Sequence, residues 1–162
     1  MPIRRVLFVC AGNICRSPMA EYLLRHFAQR WNVPLEARSA GIYAATGEPV
    51  SPETLAVLKE LGIDASAHRS QFISWELLDW ADVILTMTAS QKEHLLSLAP
   101  ELQGKVFTLP EFVGAKGEVP DPYGTTLEAY REVRDQLAEL VAKLVKKLQA
   151  SQELPFYPAG KE

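Results

Sequence analysis

The run Val6-Leu7-Phe8-Val9, followed by Cys10-Ala11-Gly12-Asn13-Ile14-Cys15-Arg16-Ser17 and then Pro18, constrains the fold more than any other part of the sequence. The apolar run has the length and character of a buried strand. Ser17–Trp31 reads as a helix whose Met19, Tyr22, Leu23, Phe27 and Trp31 fall on roughly one stripe. Pro18 falls in the first helical turn, where its missing N–H costs nothing. A strand that hands over to a helix through a short polar loop begins a β-α unit.

The loop also carries chemistry. Cys10 ends the strand and faces a helix N-terminus, a field that favours a thiolate. Arg16 offers a planar fork to a tetrahedral oxyanion at the mouth of the same loop. Gly12 and Asn13 tolerate the positive φ values that turn successive N–H groups inward. Ala11, Gly12, Asn13, Ile14, Cys15 and Arg16 are therefore the candidate phosphate-binding residues. Ser17 can cap the helix or donate to the sulfur. A nucleophile and an anion cradle in one loop point to phosphoryl transfer to cysteine, with no metal and no cofactor.

Strand-like and helix-like segments alternate along the rest of the chain. Leu35–Ser39, Asp82–Met87 and Lys105–Leu109 read as strands. A helix starts at Ser51-Pro52 and stops near Gly62, with others over Ser74–Leu78, Ser90–Leu98 and Thr126–Gln149. The order predicts a single α/β domain over residues 1–150, a parallel sheet with helices on both faces, and a site beyond the strand C-termini. Gly114–Glu118 reads as a mobile loop and Ser151–Glu162 as a flexible tail. With 162 residues the chain can bury about 70% of its unfolded surface without disulfides or metal. A net charge of −3 argues against nucleic-acid binding. No apolar run reaches membrane length, there is no signal-peptide pattern, and the two cysteines suit a reducing cytoplasm.

VLFVCAGNICRSPMAE (Val6 to Glu21), Arg38-Ser39-Ala40-Gly41 and Asp121-Pro122-Tyr123-Gly124 together resemble the low-molecular-weight protein tyrosine phosphatase family, with similarity from about Arg4 to Leu148. The resemblance implies four parallel strands in the order 2-1-3-4 and a metal-independent phosphatase acting on phosphotyrosine proteins or small aryl phosphates. Cys10 would be the nucleophile, Arg16 the phosphate clamp and Asp121 the general acid and then base. Alone, Asp121-Pro122 would read as a turn initiator. Tyr123 matches a family rim position and Tyr43 is a second rim candidate, although both could be ordinary surface aromatics. Asn13, Ser17, Ser39 and His68 would support the loop, with Ser39 equally readable as a strand-end turn residue and His68 as a satisfied structural histidine. Cys15 would capture an oxidised Cys10 as a disulfide, as the family's cysteine pair does, and is otherwise readable as a small apolar residue packed under the loop. A cytoplasmic monomer is expected.

Within the family, Lys105–Asp135 closely resembles the protein-arginine phosphatase branch. That branch carries threonine where this chain has Ile14, which is the tyrosine-phosphatase pattern. An arsenate reductase would relay a disulfide through further cysteines, and none follows Cys15. A zinc or redox module is poorly served by Cys10, Cys15 and the scattered His26, His68 and His94. A non-catalytic phosphate-binding module would have no reason to keep Cys10, Arg16 and Asp121 together, and a nucleotide P-loop would need Gly-Lys-Ser/Thr.

Overall fold

Strands β1 (Arg5–Cys10), β2 (Glu36–Gly41), β3 (Val83–Thr86) and β4 (Val106–Thr108) form a parallel sheet in the order β2-β1-β3-β4 in the computed structural model, which describes residues 2–153. This is the order that the family resemblance implied. Alternation along β1 creates the two layers. Val6 and Phe8 enter one core with α1 (Arg16–Arg30), α2 (Pro52–Lys59) and α6 (Leu127–Glu153). Leu7 and Val9 enter the other with α3 (Trp75–Trp80) and α4 (Ala89–Leu98). Every residue of β1 after Arg5 is buried, which explains the unbroken apolar run.

Local chemistry sets the helix ends. Ser51 and Ser74 accept the N–H groups of Thr54 and Leu77, and Thr88 pairs with Gln91 in a reciprocal capping box. Along α6, Tyr130, Leu137, Val141, Leu144 and Leu148 are fully buried. Each such apolar side chain contributes about 1.5–3 kcal/mol, enough to hold a helix whose outer face is charged. Glu60, just beyond α2, accepts from Arg131 and Arg134 of α6, and these hydrogen bonds draw its carboxyl down to about 2.

The chain departs from its sequence pattern in four places. β2 runs on to Gly41, because Gly41 N–H donates to the Gln71 carbonyl and its carbonyl accepts from Ile73. Cys15, not Ser17, occupies the N-cap of α1, and Ser17 turns inward instead. A short helix, α5 (Leu109–Phe112), replaces the end of the last expected strand. Thr108 and Glu111 cap it reciprocally with Pro110 in its first turn, a signal legible in Thr108-Leu109-Pro110-Glu111. Finally, α6 continues through Ser151 to Glu153, three residues that the sequence pattern assigned to the tail. The remainder of that tail, 154–162, lies outside the described residues. The segment read as a mobile loop is tied down at its far end. There, Glu118 accepts from the Ala89 N–H, and Val119 N–H donates to Met87. No described helix is long and apolar enough to cross a membrane.

Candidate active site

β1 is an inner strand, so its C-terminus opens where the neighbouring strands also end. Cys10 is 2% exposed there, and its sulfur faces Ser17 Oγ at 2.9 Å and the Asn13 N–H at 3.3 Å. Asn13 makes this geometry possible. It takes φ of +58°, the left-handed region that asparagine tolerates better than most side chains. Its side-chain amide donates to Ser17 Oγ at 2.8 Å and Ser39 Oγ at 2.9 Å. Its side-chain oxygen accepts from Gln71 N–H at 2.9 Å, and its carbonyl accepts from His68 Nε2 at 2.8 Å. The acceptor role of Ser17 toward Asn13 leaves its hydroxyl proton free to point at the Cys10 sulfur.

The same chain of bonds runs away from the sulfur. Ser39 Oγ donates to Glu21 Oε1 at 2.5 Å, and Glu21 is paired with Arg25 one helical turn on. Glu21 is buried, and Glu21 and Gln71 are members of this network that the sequence did not single out. The Glu21–Arg25 spacing of four was visible, but it resembles an ordinary exposed pair until burial is known. Gly41 closes the rear of the loop. A Cβ there would stand 2.5 Å from the Ala11 carbonyl and 2.7 Å from Ala44 Cβ, so only glycine fits.

A cavity of about 260 Å³ opens over the sulfur, lined by Cys10, Gly12, Ile14, Arg16, Asp121 and Tyr123, with Cys15 also on its wall. Arg16 is buried, and its Nη1 donates to the Val119 carbonyl at 3.1 Å. Its Nη2 stands 3.7 Å from Asp121 Oδ2. Its Nε has no hydrogen-bond partner among the described residues, an orphan donor that a bound anion would satisfy. Asp121 is half exposed, and its Oδ1 accepts the Tyr123 N–H at 3.1 Å. The turn-forming and cleft-facing readings of this residue are thus compatible, because one oxygen serves each.

Cys15 lies in a different environment from Cys10. Its thiol donates to Ser51 Oγ at 3.5 Å and meets the Tyr130 hydroxyl at 3.5 Å. Burial pushes it above the ordinary thiol range, although both hydroxyl contacts oppose that shift. Tyr43 is not brought to the cavity. Its N–H donates to the Ala11 carbonyl, but its ring is 73% exposed and lies 5.7 Å from His94. Among the described residues, no group of three or more His, Cys, Asp or Glu side chains is placed to hold a metal.

Residues 5–154 match the sequence profile described as low molecular weight phosphotyrosine protein phosphatase. A protein-arginine-phosphatase of Geobacillus stearothermophilus is 45% identical over 150 residues, spanning 91% of this chain and 98% of the relative. The low molecular weight protein-tyrosine-phosphatase PtpB of Staphylococcus haemolyticus is 38% identical over 140 residues, spanning 86% and 96%. Among solved structures, a low molecular weight protein tyrosine phosphatase from T. tengcongensis superposes with a TM-score of 0.86 at 47% identity. That match covers 89% of this chain and 99% of the other.

The packing behind the loop gives a direct test. Gly41→Ala should leave the circular dichroism spectrum unchanged but weaken vanadate binding by roughly tenfold or more, because the loop must shift to admit the methyl group. Wild-type vanadate affinity in that variant would show that the contact is not limiting.

Proposed function

Because the chain belongs to the low molecular weight phosphotyrosine protein phosphatase family, we propose that it hydrolyses phosphotyrosine in proteins, and small aryl phosphates, through a cysteinyl-phosphate on Cys10. One observation carries this reading: a single cavity is lined by Cys10, by Asp121 and by the buried Arg16, whose Nε has no hydrogen-bond partner among the described residues. The Cys10 thiolate attacks phosphorus in line, forming the S–P bond as the P–O bond to tyrosine breaks. The N–H groups from Ala11 to Arg16 and the Arg16 guanidinium receive the charge that spreads over the three phosphoryl oxygens. Asp121 passes its proton to the departing tyrosyl oxygen, then takes one from the water that cleaves the S–P bond, releasing phosphate and restoring Cys10. No step requires a metal. Ile14 and Tyr123 offer the apolar surface on which a phenyl ring would lie. Asn13, Ser17, Ser39 and His68 serve by holding the sulfur and the N–H groups in place. In this reading the enzyme works as a cytoplasmic monomer.

A second reading, phosphoarginine as substrate, is favoured by the identity to the Geobacillus protein-arginine-phosphatase. Ile14 weighs against it. This side chain lines the cavity, where it contributes bulk and no hydroxyl to order water or a guanidinium. Cys15 is assigned redox protection. Its raised thiol keeps it from competing with Cys10 as a nucleophile, yet it shares the wall of the same cavity.

Four experiments test these assignments. Cys10→Ser should abolish hydrolysis of para-nitrophenyl phosphate measured with a chelator present, whereas retained turnover would remove the nucleophile. Asp121→Asn should slow phosphotyrosine hydrolysis by on the order of a hundredfold to ten-thousandfold, and esters with good leaving groups much less. An unchanged ratio would remove the acid. Ile14→Thr should raise phosphoarginine turnover relative to phosphotyrosine, and a wild type that already prefers phosphoarginine would reverse the substrate choice. Cys15→Ser should keep its turnover but lose the recovery by reductant after peroxide that the wild type shows. Equal recovery of the two proteins would end the protective role.

A further inference from the structure

A second hollow, of about 300 Å³, lies behind the phosphate loop and shares no lining residue with the Cys10 cavity. Arg25, Arg38 and Arg69 line it, together with the buried Glu21, Ser39 and His68. Among the described residues Glu21 is the only carboxylate of that lining, and Arg25 and Ser39 already engage it. Arg38 lies over the Trp80 ring at 4.4 Å and makes no ion pair or side-chain hydrogen bond among the described residues. Arg69 is anchored through Nη1 to the carbonyls of Ser66 (3.2 Å) and His68 (2.7 Å), which leaves Nη2 and Nε without a partner among the described residues. A stacked guanidinium and a carbonyl-anchored one have already given up rotamer freedom, so less is lost when they take a ligand. The chain as a whole is acidic, yet this hollow gathers three guanidiniums against one carboxylate.

We propose that this hollow is a second anion site, which binds a dianionic phosphoryl group through Arg38 and Arg69, with Arg25 also in its lining. Planar guanidiniums suit phosphate oxygens because two N–H groups can meet two oxygens at once. The site is wired to the first. Arg25 pairs with Glu21, Glu21 accepts from Ser39, and Asn13 bonds both Ser39 and Ser17, the hydroxyl that faces the Cys10 sulfur. An anion that draws on Arg25 therefore perturbs the support of the catalytic loop without entering the catalytic cavity. The phosphoryl group has two possible sources: free phosphate, which the proposed reaction releases, or a second phosphorylated residue on the substrate. Binding at this site does not depend on the catalytic reading, but its influence on turnover does.

Calorimetric titration with inorganic phosphate at low ionic strength, where exposed guanidiniums are least screened, tests the proposal. The wild type should show two sites. With the catalytic cavity filled by vanadate, one phosphate should still bind, and the Arg38→Gln/Arg69→Gln double variant should weaken that remaining site roughly tenfold or more. The double variant should hydrolyse para-nitrophenyl phosphate at the wild-type rate when no phosphate is added. Arg16→Ala should lose only the other site. If both sites survived in Arg16→Ala, the catalytic reading would fail while the second site stood. A vanadate-filled protein that takes up no phosphate, or a double variant that binds like the wild type, would overturn the proposal. Peptides carrying one or two phosphotyrosines separate the sources. A preference for the doubly phosphorylated peptide that the double variant loses assigns the site to substrate. Equal kcat/KM for the two peptides, with the second phosphate still bound, assigns it to the free ion.

Discussion

Asn13 is the residue on which the site rests. Its left-handed backbone turns its own N–H toward the Cys10 sulfur, and every other polar atom it owns is bonded to a different residue. A left-handed residue with a side chain costs on the order of 1–2 kcal/mol, so such a loop persists only when its surroundings over-determine it. Those surroundings come from β2, α1 and the segment around His68 and Gln71. A glycine at position 13 would accept the same φ, but the amide that joins Ser17 to Ser39 would be gone. Loop shape and network are therefore one constraint, and the sulfur's position follows from it.

The two thiols show how strongly position within a tight turn sets chemistry. Cys10 ends a strand and meets a backbone N–H and a hydroxyl. Cys15 sits at the N-cap of α1 and faces inward to Ser51 and Tyr130, where burial disfavours its anion. Arg16 completes the contrast. It is a buried cation held by one carbonyl and near one half-exposed carboxylate, with an N–H left unsatisfied. An unfilled donor in so dry a position has an energetic cost that an oxyanion would offset.

Much of this was legible in the residues themselves. The apolar run before Cys10 marked a buried strand, and Pro18 marked the helix that follows. The resemblance, rather than the pattern, supplied the strand order. The misreadings have local causes. Thr108-Leu109-Pro110-Glu111 carries strand-like and helix-start signals together, and the reciprocal cap decided for the helix. Tyr43, named as a rim candidate, lies beside His94, fifty-one residues away in the chain, a neighbour that no short window of sequence discloses. Glu21 and Gln71 had no distinguishing mark at all. Their importance comes from burial and from meeting Asn13 and Ser39 across the chain.

The sequence alone determined what can be written in spans of a few residues: a strand, a loop able to turn its N–H groups inward, a helix start, and a cysteine and an arginine in one turn. Propensity, capping and periodicity act over such distances, so local composition suffices to express them. Tertiary structure decided what depends on residues far apart. It brought Asp121 and Val119 to Arg16, Ser39 and Glu21 to Asn13, and Gly41 to within contact of Ala11. The reason is that a hydrogen-bond network and a steric limit depend on distances in space. Those distances exist only once the sheet and its two helical layers have packed.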